Sequence, residues 1–529
     1  MQMIVLAIDN VSHTRTKSSV GGIHKPTYNH LVLTVMLAFH LCWLLPVLIS
    51  TCTSSNLQLC IPPGSVACAN LTMQLGNAKV QGLGSIEYLA SQEDYWNAKQ
   101  SDYTPSCVVY PNSAQDVSTA LMAIKAAKSR FAIKAAGHNP NTFFSSVQTG
   151  VLVDLNQMTA KTYDAASTVG TYQPGGTFGD VYNYFQQYGR TVVGARLAGV
   201  GTGLALGGGL SYLSPQYGMA CDSFRELEVV LPSGAIVTAS PTQNADLFFA
   251  DRGGGGNAYG VVTKYTVQTR PSGTFYAGNI IYVFDQVDAV VAAIRDFILY
   301  NTDPKASIIG TVEKLGTPSL ELNLDQAVIM FLVYDGADPG HAFDNFTSLP
   351  YVFNSLSQKT YPEVVNMPIP LSTELSRGDN IFRVQVHRVD GTYMQAFDAW
   401  NKWCEANKGS YELSSLDFQP IPKSLTDASN AQNGGNAMQM PDGPWFWLNF
   451  LITTPPGLPD ATYSAVQASF RDMVNSVPIA AGLPLFINDA NYDQDPLKTF
   501  STYSKLQSIK KKYDPDNFFA NYTGGWSFD

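Results

Sequence analysis

The residues most able to do chemistry are glycines arranged around one histidine. Gly199, Gly201 and Gly203 precede Gly207, Gly208 and Gly209, and Gly253 to Gly256 and Gly260 follow. Glycine admits positive φ and close backbone approach, so such runs can aim successive N–H groups at a diphosphate or a flat ring. Tight turns between packed strands use the same residues. His138 follows Gly137 in FAIKAAGHNPN (131–141); taken alone, a histidine in that position is more often a loop residue than a ligand. No GxxxxGK[ST] occurs, which excludes a P-loop nucleotidase. The Gly199-x-Gly201-x-Gly203 spacing is wrong for a Rossmann turn, which also needs a strand before it and a helix after it. No CxxC or Cys/His spacing suggests zinc or another metal.

The elements that must position these residues follow from periodicity. Ser113 predicts an N-cap for a helix over 114–129, with Val117, Leu121 and Ile124 at helical spacing. Phe131 to Lys134 reads as a strand running into the histidine turn, GVLVDL (150–155) as another, and Phe178 to Tyr188 as a helix. Glu226–Leu231 and Ala235–Ala239 flank Pro232-Ser233-Gly234, a hairpin signal. Val261 to Thr269 alternates up to Arg270-Pro271, a boundary. From about 275 to 485 the strands lengthen (Asn279–Phe284, Val328–Tyr334), with amphipathic helices near 286–301 and 391–405. Ser429 to Asn436 reads as a loop, and Thr499 to Lys512 as a closing helix. The order is that of an α+β protein rather than a doubly wound sheet.

Composition narrows the class. The 529 residues carry 32 basic and 42 acidic side chains, a net charge of −10, with no basic stripe to track phosphates. Nucleic acid is therefore an unsuitable partner. Leu31 to Ile49 is nearly apolar over nineteen positions after a polar front with Arg15, Lys17 and Lys25. The segment 31–50 is expected to be a signal-anchor or a signal peptide, placing the remainder in the secretory pathway as a lumenal or secreted protein. Asn70, Asn345 and Asn521 stand in glycosylation triplets that matter only there. A disulfide from Cys60 or Cys68 to Cys107 is expected in that compartment.

Several strings resemble the flavin oxidoreductases with the fold of vanillyl-alcohol oxidase and p-cresol methylhydroxylase, particularly the berberine bridge enzyme-like branch with its fungal secondary-metabolite oxidases. They are FAIKAAGHNPN, GVLVDL, VGARLAGVGTGLALGGGLSYLSPQYGMACDS (193–223), ELEVVLPSGAIVTAS (226–240), NADLFFADRGGGGNAYGVVTKYT (244–266) and KKYDPDNFF (511–519). The resemblance implies a targeting segment (1–55), a lead-in (56–101), an FAD-binding domain (102–272), an α+β substrate domain with an antiparallel sheet (273–485) and a C-terminal return (486–529). It implies that the loop of Lys134, Ala135, Ala136, Gly137, His138 and Asn139 wraps the FAD diphosphate, Ala136 replacing a usual glycine. His138 matches the histidine bonded covalently to the flavin 8α-methyl in many members. Arg196, Leu197 and Ala198 stand where bicovalent members carry a second attachment cysteine, so one bond at most is expected.

By the same resemblance Gly201, Thr202, Gly203, Gly207, Gly208 and Ser211 line the flavin, Asp222 receives N–H bonds from that loop, and Val262 meets the adenine end. For the base, Asn488 matches a family asparagine, while Asp489 stands where a tyrosine is usual. Tyr492, Asp489, Gln419 and His387 are the alternatives for the proton-accepting role. The implied activity is FAD-dependent oxidation of a C–H or C–OH centre of a small organic, secondary-metabolite substrate by hydride transfer to flavin N5, with O2 as acceptor. A carbohydrate oxidase of the same fold and a binding protein that has lost catalysis are the rivals.

Overall fold

The computed structural model describes residues 61–528 other than 257, 317–324 and 369–377. The apolar segment 31–50 and Cys60 lie outside the described residues. Among those described, no helix is long and apolar enough to cross a membrane. The fold is α+β, with three main sheets.

The first sheet runs Val80–Gly82, Cys107–Val109, Val151–Asp154 and Phe131–Lys134 in spatial order, the last three parallel. Parallel strands are covered on both faces, which is why CVV and the VLV that precedes Asp154 are apolar without alternation and wholly buried. The helix Ala114–Ala127 covers one side through Val117, Leu121 and Ile124, and Ser113 caps it by accepting the Asp116 N–H. At the other end of the chain the Asp514 carboxylate accepts the N–H groups of Phe518 and Phe519, and both rings pack on Phe131. That contact seats the C-terminus on the strand that leads to His138.

The second sheet is antiparallel, in the order Lys161–Asp164, Val169–Tyr172, Val261–Gln268, Phe224–Val230 and Ile236–Ala239. Its last two strands form the hairpin expected around Gly234, which takes φ +82.

The third sheet has eight antiparallel strands between Phe275 and Thr454. Its centre is Ala306–Leu315 beside Leu413–Ile421 beside Trp445–Thr454. Strand residues alternate between faces. Ile308, Val312, Leu416, Phe418, Leu448 and Phe450 join a core with Ile294, Phe297, Trp400 and Phe470 of the helices Val287–Tyr300, Thr392–Ala406 and Asp460–Asn475. The intervening residues Thr311, Glu313, Ser415, Asp417 and Asn449 are thereby delivered to the other face.

Two expected elements differ. The closing helix begins at Tyr503 rather than Thr499, because the Thr499 hydroxyl closes a turn by donating to Pro496 O and accepting the Leu485 N–H. Ser429 is not in a surface loop: it ends the helix Lys423–Asn430, where its hydroxyl donates to buried Asp222.

Cys68, on the helix Pro63–Leu75, is bonded to Cys107 across a separation of 39 residues. Cross-linking a loop of that size restricts the unfolded chain, and its removal costs about 3 to 4 kcal/mol. The Cys68→Ala/Cys107→Ala protein is expected to unfold at lower temperature than the wild type in a thermal scan, and reductant should lower the wild type alone.

Candidate active site

A cavity of about 700 Å³ is walled by the His138 loop, the glycine run from Gly201 to Gly207, the inner face of the large sheet and residues 486–489. The loop bends where the strand Phe131–Lys134 ends, and Gly137 makes the bend at φ +64. A Cβ there would stand 2.6 Å from Asp94 O, so only glycine fits. Beyond it the two loops touch: a Cβ on Gly201 would lie 2.9 Å from the Ala136 Cβ. Gly203 is the opposite case, with no protein atom within 4 Å of an added Cβ. Bare backbone faces the cavity at that point. Asn488 fastens the run from the C-terminal side, accepting the Gly209 N–H at 3.2 Å and donating to Leu204 O at 3.0 Å.

His138 lines the cavity, and its ring lies parallel to Trp96 with centroids 4.9 Å apart. Burial pushes the imidazole pKa down to about 4, so the ring is neutral at physiological pH and a nitrogen lone pair is free of a proton. Behind the loop Lys134 is fully buried. Its ammonium donates to Ser91 O and pairs with Asp154 and Asp94, anchoring the strand rather than reaching the cavity.

The sheet end of the cavity is acidic. Register places Thr311 opposite Asp417, and Asp417 opposite Asn449. The Thr311 hydroxyl donates to Asp417 Oδ1 at 2.9 Å and Asn449 Nδ2 donates to Oδ2 at 3.1 Å. Burial raises the Asp417 pKa to about 6 against those two bonds and the Arg196 charge. Glu313, two residues beyond Thr311 on the same face, is fully buried with Oε2 unpaired. Burial, and after it the Asp417 charge, raise its pKa well above the usual carboxylate range. Asp489 accepts from Gln419 Nε2 at 2.8 Å and is likewise shifted up by burial, with Arg196 opposing. Tyr212 is pushed up to about 12 by burial and retains its proton.

Of the residues singled out in the sequence, Ala135, Ala136, Gly137, His138, Asn139, Gly201, Gly203, Gly207, Val262, Asn488 and Asp489 converge on the cavity. Others stand behind its walls. Thr202 donates to Pro174 O, Ser211 bonds the Tyr361 hydroxyl, and Gly208 sits under Met438 at φ +104. Asp222 takes the Met219 N–H rather than N–H groups of the glycine run, and its further partners include Arg252, Ser429 and Asn436, so it ties this stretch to a distant segment. Tyr492 is half exposed and lies outside the cavity lining, its backbone N–H donating to Asn141. His387 is enclosed between Gln385 and Thr392 in the sheet, away from the cavity. Buried Gln419 positions Asp489. Cys221 is buried outside the cavity lining, its thiol pKa pushed well up.

Asp417 and Glu313 escaped the sequence reading, which named Arg196 only as standing in place of an attachment cysteine. The available signal was an acid inside an apolar strand, two residues before Gln419 and so on the same face.

Bare backbone at one end, a neutral imidazole beside it and ionisable groups opposite fit a large flat dinucleotide such as FAD, and together they define a flavoenzyme site. Comparison with known proteins agrees. The profile described as "FAD binding domain" matches residues 105–240, and that described as "Berberine and berberine like" matches 499–524. An uncharacterised FAD-linked oxidoreductase of Arthroderma benhamiae is 33% identical over 467 residues, spanning 84% of this chain and 91% of its own. The bifunctional solanapyrone synthase of Alternaria solani is 30% identical, over 80% of this chain and 81% of its own. Among solved structures, 6-hydroxy-D-nicotine oxidase from Arthrobacter nicotinovorans superposes with a TM-score of 0.68 at 19% identity, covering 85% of this chain and 97% of that one. The chain belongs to the FAD-linked oxidoreductases with a berberine-like C-terminal region.

If Gly203 is part of the flavin cradle, a side chain there takes cofactor space and disturbs no protein neighbour. Gly203→Val is expected to keep the far-UV circular dichroism of the wild type while losing most of its bound flavin, measured as the ratio of 450 to 280 nm absorbance.

Proposed function

We propose that this enzyme oxidises a C–H or C–OH centre of a small organic, secondary-metabolite substrate, with Asp417 as the proton acceptor and dioxygen as the electron acceptor. The observation that carries this reading is the division of one cavity into a bare-backbone end at His138 and Gly203 and a carboxylate end at Asp417. FAD, when bound, would supply the hydride acceptor and its reoxidation by dioxygen to hydrogen peroxide. The loop from Ala135 to Asn139 and the run from Gly201 to Gly207 would hold the cofactor by main-chain groups, with Val262 toward its other end. His138 would attach it through its 8α carbon. A single attachment follows from Arg196 to Ala198 standing in place of a second attachment cysteine.

Asp417 suits the base because each of its oxygens is held by one donor and keeps a lone pair free. With a pKa near 6 it is ionised at neutral pH and takes the substrate hydroxyl proton as hydride leaves. Glu313, biased toward its protonated form by burial, faces the same end, and Ile309, Phe331, Leu413 and Leu451 make that end apolar. The solanapyrone synthase among the relatives supports a biosynthetic role over carbohydrate oxidation. Passage through the secretory pathway by the segment 31–50, anchored or cleaved, belongs to the same reading. So does glycosylation, for which Asn345 and Asn521 are exposed and Asn70 half-buried.

A base must be ionised to act, so kcat/KM should rise with pH through about 6 and level off above it. Asp417→Asn should lower kcat by about 10²- to 10⁴-fold and abolish that acidic limb. Asp489→Asn should keep the limb and move it to lower pH, because a like charge is gone. A limb unchanged in Asp417→Asn would transfer the role to another group. His138→Ala should retain flavin that acid precipitation then releases; flavin left in its pellet would place the attachment elsewhere.

A further inference from the structure

The segment Tyr95–Gln100, which carries none of the sequence motifs, is laid across the His138 loop as a strap. The Trp96 N–H donates to Gly137 O at 3.1 Å, Asn97 Nδ2 to Pro140 O at 2.6 Å, and Gln100 Nε2 to Asn139 O. The carbonyls on either side of His138 are thus all held. The strap is itself fastened to the large sheet, since Asn97 donates to Asn380 O and accepts the Asn380 N–H. The Tyr95 hydroxyl reaches Ser145 O at 2.7 Å. From this frame the Trp96 indole covers one face of the His138 imidazole, the two planes 5° apart, while Phe382 tilts against the indole at 5.2 Å.

Holding the backbone does not hold the ring, because the second side-chain torsion of histidine is broad. A parallel indole on one face removes that freedom and leaves the ring edge to present a nitrogen. We propose that Trp96 is a positioning residue for covalent flavin attachment: it holds the His138 ring in the plane from which nitrogen meets the 8α carbon. The inference rests on the flavin-site reading above. Attachment replaces one 8α C–H bond and the imidazole N–H bond by a C–N bond, and both hydrogens leave with two electrons to dioxygen, giving hydrogen peroxide. Binding of FAD as such is left to the glycine cradle and does not need the indole.

The test compares wild type, Trp96→Leu, Trp96→Gln and Trp96→Phe, each produced with FAD in air. Total flavin is read by absorbance, and covalent flavin by what stays with acid-precipitated protein and fluoresces in a denaturing gel. Trp96→Leu and Trp96→Gln should bind flavin but attach it about tenfold more slowly or less. Trp96→Phe, which keeps an aromatic face, should approach wild type. Attachment at the wild-type rate in Trp96→Leu or Trp96→Gln overturns the assignment. Loss of all flavin from both with secondary structure intact also overturns it, since the indole would then serve binding and not orientation. Flavin freed by acid from the wild type contradicts the attachment at His138 itself, a failure distinct from either.

Discussion

Enclosure by protein atoms sets the ionisation of the groups that line one cavity. The same desolvation lowers the His138 pKa to about 4, raises Asp417 to about 6, pushes Tyr212 up to about 12 and shifts Glu313 and Asp489 upward. Each shift opposes charge, so the cavity at neutral pH holds a neutral imidazole, a protonated Tyr212 and an ionised Asp417 near Arg196, with Glu313 and Asp489 biased toward their neutral forms. This pattern suits a site that must accept one proton in the company of a neutral nucleophile. Opening the cavity to water would move all of these groups back toward ordinary values together.

The fold builds that enclosed space from stretches far apart in the chain. The parallel sheet delivers the His138 loop, and the C-terminal phenylalanines secure its last strand. The antiparallel sheet gives one wall its carboxylates because even and odd residues of the same strands are committed to opposite tasks. Ile308, Val312 and Leu416 pack on helices, and their neighbours face the cavity. Asn488 and Asp222 close the arrangement, each joining the glycine region to a segment more than two hundred residues away.

How much of this was legible in the sequence depends on how local each feature is. The His138 turn, the glycine runs and the helix capped by Ser113 are short-range patterns, and they stand where the sequence places them. The α+β class followed from the order of such elements. Asp417 and Glu313 were silent, since a carboxylate inside an apolar strand acquires meaning only when register sets Thr311 against Asp417 across a hundred residues. Tyr492 illustrates the converse. It lies four residues from Asn488, yet it stands half exposed and outside the cavity lining. Trp96 carried no signal, because its role depends on a ring that arrives from a loop some forty residues on.

A flavin site of this design requires the His138 loop to carry the cofactor. Trypsin cuts after Lys134 and Lys161 and at no basic residue between them, so His138 is isolated on the peptide 135–161. Mass spectrometry of a tryptic digest of the flavin-loaded enzyme tests this most directly. The expected result is one flavin on that peptide, with fragmentation assigning it to His138. A flavin found on any other peptide, or peptide 135–161 wholly unmodified in the loaded enzyme, would contradict it.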